Sequence, residues 1–117
     1  MKKIYHLSTC TTCKKILKEL DAPSTYIFQD IKLEQMTGEQ LDEMRELSGS
    51  YEALFSKRAQ LYKERDLKNE DISEERYKNL ILEHYTFLKR PVIINNDKIF
   101  IGNAKKTVEA AKRSINE

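Results

Sequence analysis

The chain has 117 residues, enough for one domain with an apolar core that needs no disulfide staples. Its 21 Lys and Arg against 19 Asp and Glu leave a net charge of only +2, too weak a bias to point to a nucleic-acid partner. No apolar run approaches the length that crosses a bilayer, and two cysteines behind a start unlike a signal peptide are expected of a protein in a reducing cytosol.

Lys2 to Leu7 reads as a short strand, and the loop Cys10-Thr11-Thr12-Cys13 leads into a helix ending near Asp21-Ala22-Pro23. Cys13, Ile16, Leu17 and Leu20 fall at i, i+3, i+4 and i+7, one apolar stripe. That spacing predicts a buried Cys13, while Cys10 precedes the helix and stays open. Ser24 to Phe28 reads as a second strand.

Residues 32–88 are helical in pattern throughout. Thr37-Gly38-Glu39-Gln40 has the form of a capping box before Leu41, Met44 and Leu47, and Gly49-Ser50 breaks that helix. A second stripe runs through Tyr51, Leu54, Phe55, Leu61 and Tyr62. After the polar stretch Lys68 to Asp71, Ser73 is the expected N-cap of a helix carrying Tyr77, Leu80, Ile81, His84 and Leu88 on one face, ended by Pro91.

Val92-Ile93-Ile94 and Ile99-Phe100-Ile101 flank Asn95-Asn96-Asp97-Lys98, a β-hairpin pattern. Gly102-Asn103 then opens a last helix with Ala104, Val108, Ala111 and Ile115 inward. The order is β-α-β, a helical section, then β-β-α. Strands joined through a helix should run parallel and hairpin strands antiparallel. The expected fold class is α/β: a thioredoxin-like layout with a mixed four-stranded sheet, one domain over residues 1–117 with a helical insertion over about 32–88.

Cys10 is the candidate nucleophile. A thiol at a strand-to-helix junction faces free backbone N–H groups and the positive end of the helix dipole, and both favour the reactive thiolate. The competing reading of a free cysteine is a small buried apolar residue, which the junction position and the C-x-x-C partner argue against. Cys13 is the candidate resolving thiol, a role compatible with filling the apolar stripe. A zinc site would need His6 and His84 to complete two thiolates, so no metal is expected.

Lys14 and Lys15 sit in the first helical turn, where positive charge opposes the dipole unless an anion occupies the helix start. For Lys15 and Lys18 a solvated polar face is the better reading, whereas Lys14 stays a candidate anion ligand. Arg58 falls on the apolar side of the stripe set by Tyr51, Leu54, Phe55, Leu61 and Tyr62, where a charge needs a partner or a cleft. Arg90 precedes Pro91 at the entry to the hairpin, and a cis bond there would fix a tight turn beside the cysteine loop. Two arginines, a thiolate and a helix start together describe an oxyanion pocket. His6, four residues before Cys10, either tunes the thiolate or is a strand histidine satisfied by its neighbours. His84 reads as a core or rim residue.

With these residues in place the chain resembles the arsenate reductase-like (ArsC/Spx) family, which includes glutaredoxin-linked arsenate reductases and the Spx transcriptional regulators. The resemblance covers nearly the whole chain. It rests on Ile4-Tyr5-His6 followed by Cys10, on Leu54-Phe55-Ser56-Lys57-Arg58, on Leu88-Lys89-Arg90-Pro91-Val92-Ile93-Ile94, and on the closing hairpin and helix.

The resemblance implies a thioredoxin-like core with a helical insertion, Cys10 as the arsenate-attacking cysteine, and Arg58 and Arg90 as two of the arginines that hold the oxyanion. It implies a cis Arg90–Pro91 step, and it matches His6 to the histidine ahead of the reductase cysteine. Two departures separate this chain from the reductases. Ile101-Gly102-Asn103-Ala104-Lys105 carries no third arginine, so Lys105 would have to supply that charge. Cys10-Thr11-Thr12-Cys13 is closer to the redox switch of Spx.

The first expectation is therefore a cytosolic thiol oxidoreductase with no bound cofactor, recharged by glutathione, glutaredoxin or thioredoxin. The second is an Spx-like redox switch that binds the C-terminal domain of the RNA polymerase alpha subunit. A general thiol-disulfide reductase is the third, and it would leave the arginines without a purpose.

Overall fold

The computed structural model describes residues 1–117. The chain forms two compact units, one from residues 1–34 with 90–117 and the other from residues 35–89. None of its helices is long and apolar enough to cross a membrane.

The first unit is a four-stranded sheet with two helices. Its elements are β1 (Lys2–His6), α1 (Thr11–Leu20), β2 (Ile27–Asp30), β3 (Val92–Asn95), β4 (Lys98–Ile101) and a C-terminal helix, α5 (Lys105–Ile115). The strand order is β2-β1-β3-β4. β1 and β2 pair in parallel, with Ile4 opposite Phe28, while β1–β3 and β3–β4 pair antiparallel, with Ile4 opposite Ile93 and Ile93 opposite Phe100. This is the thioredoxin-like α/β layout expected from the order of the elements.

Both helices cover one face of that sheet. Ile4, Tyr26 and Ile93 from the sheet side meet Ile16 and Leu20 of α1 and Val108 and Ala111 of α5 in one core cluster, flanked by Leu17, Phe100 and Ile115. Asn95 ties the far end of α5 to β3: its Nδ2 donates to Ser114 Oγ at 2.8 Å and to the Ser114 carbonyl at 3.2 Å. At the hairpin, Asn96 takes a positive φ of 59°, which a two-residue Asn-Asp turn readily accommodates.

The first unit departs from expectation at two boundaries. β2 spans Ile27–Asp30 rather than Ser24 to Phe28, because the Tyr26 amide donates to the Pro23 carbonyl at 3.0 Å and holds residues 23–26 in a turn. α5 starts at Lys105, and Ala104 is its exposed N-cap rather than an inward residue. Gly102 stands at φ +92°, a backbone that side chains rarely adopt, and its amide donates to the Pro91 carbonyl at 2.9 Å.

The second unit is helical but more broken than its apolar pattern suggests. α2 (Gly38–Ser48) carries the expected capping box: Thr37 Oγ1 accepts from the Gln40 amide at 3.1 Å, and Gln40 Oε1 accepts from the Thr37 amide at 3.1 Å. Gly49 ends it in the left-handed region at φ 96°. A 3-10 turn at Glu52–Leu54, the short α3 (Gln60–Glu64) and a second 3-10 turn at Leu67–Asn69 follow.

α4 (Glu74–Glu83) has the expected Ser73 cap, whose hydroxyl accepts from the Arg76 amide at 3.2 Å. It ends at Glu83 rather than running to Leu88. His84 is extended there, and its Nδ1 accepts from the Thr86 amide at 3.3 Å to start a 3-10 turn over Tyr85–Phe87. Phe55 bridges to Leu88 and stacks on Phe87 with ring centroids 5.2 Å apart.

Candidate active site

Topology alone gathers the first unit's chemistry. β1 and β4 both run antiparallel to β3, so they point the same way and end at the same edge of the sheet, and β2 ends there too. α1 and α5 follow β1 and β4, so both helices begin at that edge, and β3 starts there. Cys10, Asp30, Arg90-Pro91 and Lys105 are consequently brought to one end of the unit.

Cys10 is the N-cap of α1, extended at φ −92° and ψ 115°. A turn delivers it there: the Cys10 amide donates to the Leu7 carbonyl at 3.0 Å, and the Lys14 amide donates to the Cys10 carbonyl at 3.0 Å. Its sulfur closes no cap hydrogen bond of standard geometry, yet it lies near the amides at the helix start.

Partial burial pushes the Cys10 thiol up. The Cys13 amide, the Cys13 thiol donating to it, the Thr12 amide and the Arg90 charge outweigh that, and the thiol titrates below the ordinary cysteine range. Cys13 is buried, as its stripe predicts, and goes the other way. Burial first, then the neighbouring Cys10 charge and its hydrogen bond, push it up to about 11, against the lowering effects of the Leu7 amide and Arg90. Both thiols are free. The pair thus sets a half-buried sulfur that ionises more readily than an ordinary cysteine in front of a buried one that ionises less readily.

Arg90 is half-buried, and its peptide bond to the buried Pro91 is cis. Its charge reaches both sulfurs. Lys14 is exposed in the first turn of α1, and no acidic side chain is present there. Lys105 is exposed at the first position of α5. His6 closes β1 with its ring edge-on to Phe28, centroids 5.9 Å apart, and its Nδ1 is buried without a hydrogen-bond partner.

Arg58 does not lie on an apolar face. The stripe from Tyr51 to Tyr62 is not one helix: Phe55 is extended at φ −86° and ψ 130°, the Ala59 amide closes a turn back to the Ser56 carbonyl, and Arg58 is exposed within that turn. It belongs to the second unit, whereas Cys10, Cys13, Lys14, Arg90 and Pro91 all belong to the first. His84 is occupied in its own 3-10 turn, with Nδ1 2.7 Å from Thr86 Oγ1. No group of three or more His, Cys, Asp or Glu side chains is arranged to hold a metal ion.

Two further residues at this edge, Ser8 and Asp30, carry no signal in the sequence. The Asp30 carboxylate accepts from the Ser8 hydroxyl in a short hydrogen bond, from the Ser8 amide at 3.3 Å and from the Lys32 amide at 3.0 Å. The Ser8 hydroxyl above all, with the Lys32, Ser8 and Leu33 amides, outweighs the opposing effect of burial and holds Asp30 below the usual carboxylate range. An Asp ending a strand and a Ser in a tight turn are common, and only the parallel register brings them together.

The chain is 28% identical over 108 residues to an arsenate reductase of Haemophilus influenzae, covering 90% of this chain and 93% of that one. It is 26% identical over 116 residues to the global transcriptional regulator Spx 2 of Bacillus cereus, covering 96% of this chain and 88% of the regulator. A Staphylococcus aureus protein solved in solution by NMR superposes with a TM-score of 0.76 at 30% identity, over 94% of this chain and 97% of that one. The model of the ArsC family matches residues 5–111, so the chain that carries this thiol pair belongs to the ArsC family.

Proposed function

We propose that the protein is a thiol oxidoreductase that reduces an oxyanion such as arsenate, with Cys10 as its nucleophile. The observation that carries this reading is the split between the two sulfurs: Cys10 titrates below the ordinary range at a helix start beside Arg90, and Cys13 stays protonated up to about 11. A low-lying thiolate with a neutral thiol behind it has the polarity needed for attack and then resolution.

In the proposed cycle the Cys10 thiolate attacks pentavalent arsenic, and one oxygen leaves as water to give a sulfur–arsenic adduct. Arg90 and Lys14 neutralise the oxyanion while the bond forms. With Cys10 bonded to arsenic, its charge no longer raises Cys13. Cys13 then gives its proton to water and attacks the Cys10 sulfur as the thiolate; an external thiolate such as that of glutathione is the alternative. The electron pair of the sulfur–arsenic bond passes to arsenic, which leaves in the trivalent state, and a disulfide remains. Two thiols from glutathione, glutaredoxin or thioredoxin reduce a Cys10–Cys13 disulfide to the free pair, and one more thiol releases Cys10 from a mixed disulfide with glutathione. Arg58 is kept as an oxyanion ligand on the family resemblance alone; where the reductases carry a third arginine this chain departs from them and offers only Lys105, a poorer bidentate partner.

Arsenate-dependent NADPH oxidation, coupled to glutaredoxin or thioredoxin, tests this reading. Turnover should be present in the wild type and absent in Cys10→Ser, and no turnover above that control with either donor overturns the enzymatic reading. Insulin-disulfide reduction without any oxyanion would instead mark a general disulfide reductase.

The C-x-x-C pair and the 26% identity to Spx 2 support a second reading, a redox switch whose surface binds the C-terminal domain of the RNA polymerase alpha subunit. Oxidant-sensitive co-purification with that domain, in the absence of arsenate turnover, would favour it over the first.

A further inference from the structure

Residues 7–10 form the tight turn that hands the chain from β1 to α1, and a side chain from the neighbouring strand braces it. Asp30, the last residue of β2, accepts from the Ser8 amide at 3.3 Å and from the Ser8 hydroxyl in a short hydrogen bond. Asp30 is itself fixed. Its second oxygen accepts from the Lys32 amide at 3.0 Å, and the adjacent Ile31 amide donates to the His6 carbonyl at 2.9 Å. The carboxylate therefore ties Ser8, in the turn, to the end of β2, beside the backbone bond that holds His6.

What the turn holds matters for both sulfurs. Its closing bond, from the Cys10 amide to the Leu7 carbonyl at 3.0 Å, sets Cys10 at the head of α1, and the Leu7 amide lies against the Cys13 sulfur. The fields of amides at a helix start fall off within a turn, so a sulfur that wanders from them loses stabilisation of its charge. We propose that Ser8 and Asp30 are a positioning pair for the thiol couple, holding the 7–10 turn so that Cys10 keeps its place at the helix start. The pair acts through the turn and touches no substrate. It rests on Cys10 being the reactive thiol, and it deepens that reading.

Position and charge make opposite predictions here. A carboxylate near a thiolate disfavours it by repulsion, so if Asp30 acted only by its charge, Asp30→Asn would speed Cys10 alkylation and Ser8→Ala, which keeps the charge, would change nothing.

The test is the pH profile of iodoacetamide alkylation of Cys10 in the Cys13→Ser background, in wild type, Ser8→Ala, Ser8→Thr, Asp30→Asn and the Ser8→Ala/Asp30→Asn pair. Thermal melting of each checks the fold. The positioning role predicts that Ser8→Ala moves the midpoint upward, with alkylation about threefold slower at neutral pH. Ser8→Thr, which keeps the hydroxyl, should restore the profile. Ser8→Ala should add nothing once Asp30 is Asn, because the two residues act as a unit.

A Ser8→Ala profile that superposes on the wild type overturns the proposal, as does an equal effect of Ser8→Ala in both Asp30 backgrounds. Neither arsenate nor a donor enters the measurement, so a failed reductase assay leaves this result standing. Alkylation of Cys10 no faster than a free thiol would instead remove the reading it rests on.

Discussion

The Cys13 thiol donates toward the sulfur of Cys10 from one helical turn further along α1, and the same contact moves the two groups apart in acidity. One turn of helix separates the half-buried N-cap from the first buried rung of the apolar stripe, so the desolvation that raises Cys13 follows from spacing. Replacing Cys13 by Ala removes a donor to the thiolate. The Cys10 midpoint should move upward and its alkylation slow by several-fold at neutral pH, whereas Cys13→Ser, which keeps a donor, should change it less. Thiolate absorbance in the ultraviolet during a pH titration checks both.

Arg90 lowers both thiols through its charge. Arg90→Ala should therefore slow Cys10 alkylation by about two- to threefold at low salt, with the difference shrinking as salt screens the charge. Arg90→Lys should recover most of that rate, because a point charge suffices for it. Lysine should recover less of any oxyanion turnover, where a planar fork of donors binds better than an ammonium. Comparing alkylation with arsenate KM in the two variants separates the effects.

The raised value of Cys13 has a consequence for stability at high pH. In the unfolded chain this thiol ionises in the ordinary cysteine range, and in the folded protein only near 11. Its contribution is present below the ordinary range and is lost as pH rises through that range towards about 11, amounting to about 2–3 kcal/mol in full. Cys10 works in the opposite sense: its lowered folded value adds stability above the ordinary range that is lost as pH falls through the folded value. Buried Tyr26, also pushed up by desolvation, titrates alkaline in the same sense as Cys13. Denaturant unfolding of wild type and Cys13→Ala between about pH 8 and 11 isolates the cysteine, and the wild-type curve should fall more steeply.

The capping box at the start of α2 gives a test away from the thiols. Thr37→Ala removes the acceptor for the Gln40 amide and should cost about 1 kcal/mol in urea unfolding, with Thr37→Ser close to the wild type. Cys10 alkylation should be unchanged.

These residues also show where sequence is a sufficient guide. The Thr37 box, the Ser73 cap, the α1 stripe and the β3–β4 hairpin are set by contacts a few residues apart, and each stands where its pattern places it. The breaks do not. Tyr51, Leu54, Phe55, Leu61 and Tyr62 keep helical spacing across a segment whose backbone turns at residues 56–59, because Phe55 is spent on a bridge to Leu88 and a stack on Phe87.

That pairing joins residues more than thirty positions apart, and no local pattern announces it. An unbroken stripe would turn Arg58 inward, and the break leaves it exposed. Leu88, the last rung of α4 by its spacing, is instead the partner in that bridge. Ser8 and Asp30 are silent in the sequence on similar grounds, since their meeting depends on the register of β1 against β2.

The unit that holds both cysteines is assembled from two stretches of chain, with all of residues 35–89 intervening. β1 finds β3 only after that long excursion has closed, a slow search compared with winding α1 on its own. A nascent or half-folded chain would therefore own the Cys10 helix start but lack the electrostatic help of Arg90. Thiol reactivity then doubles as a clock: the acceleration of Cys10 labelling during refolding marks the moment when the two ends of the polypeptide dock.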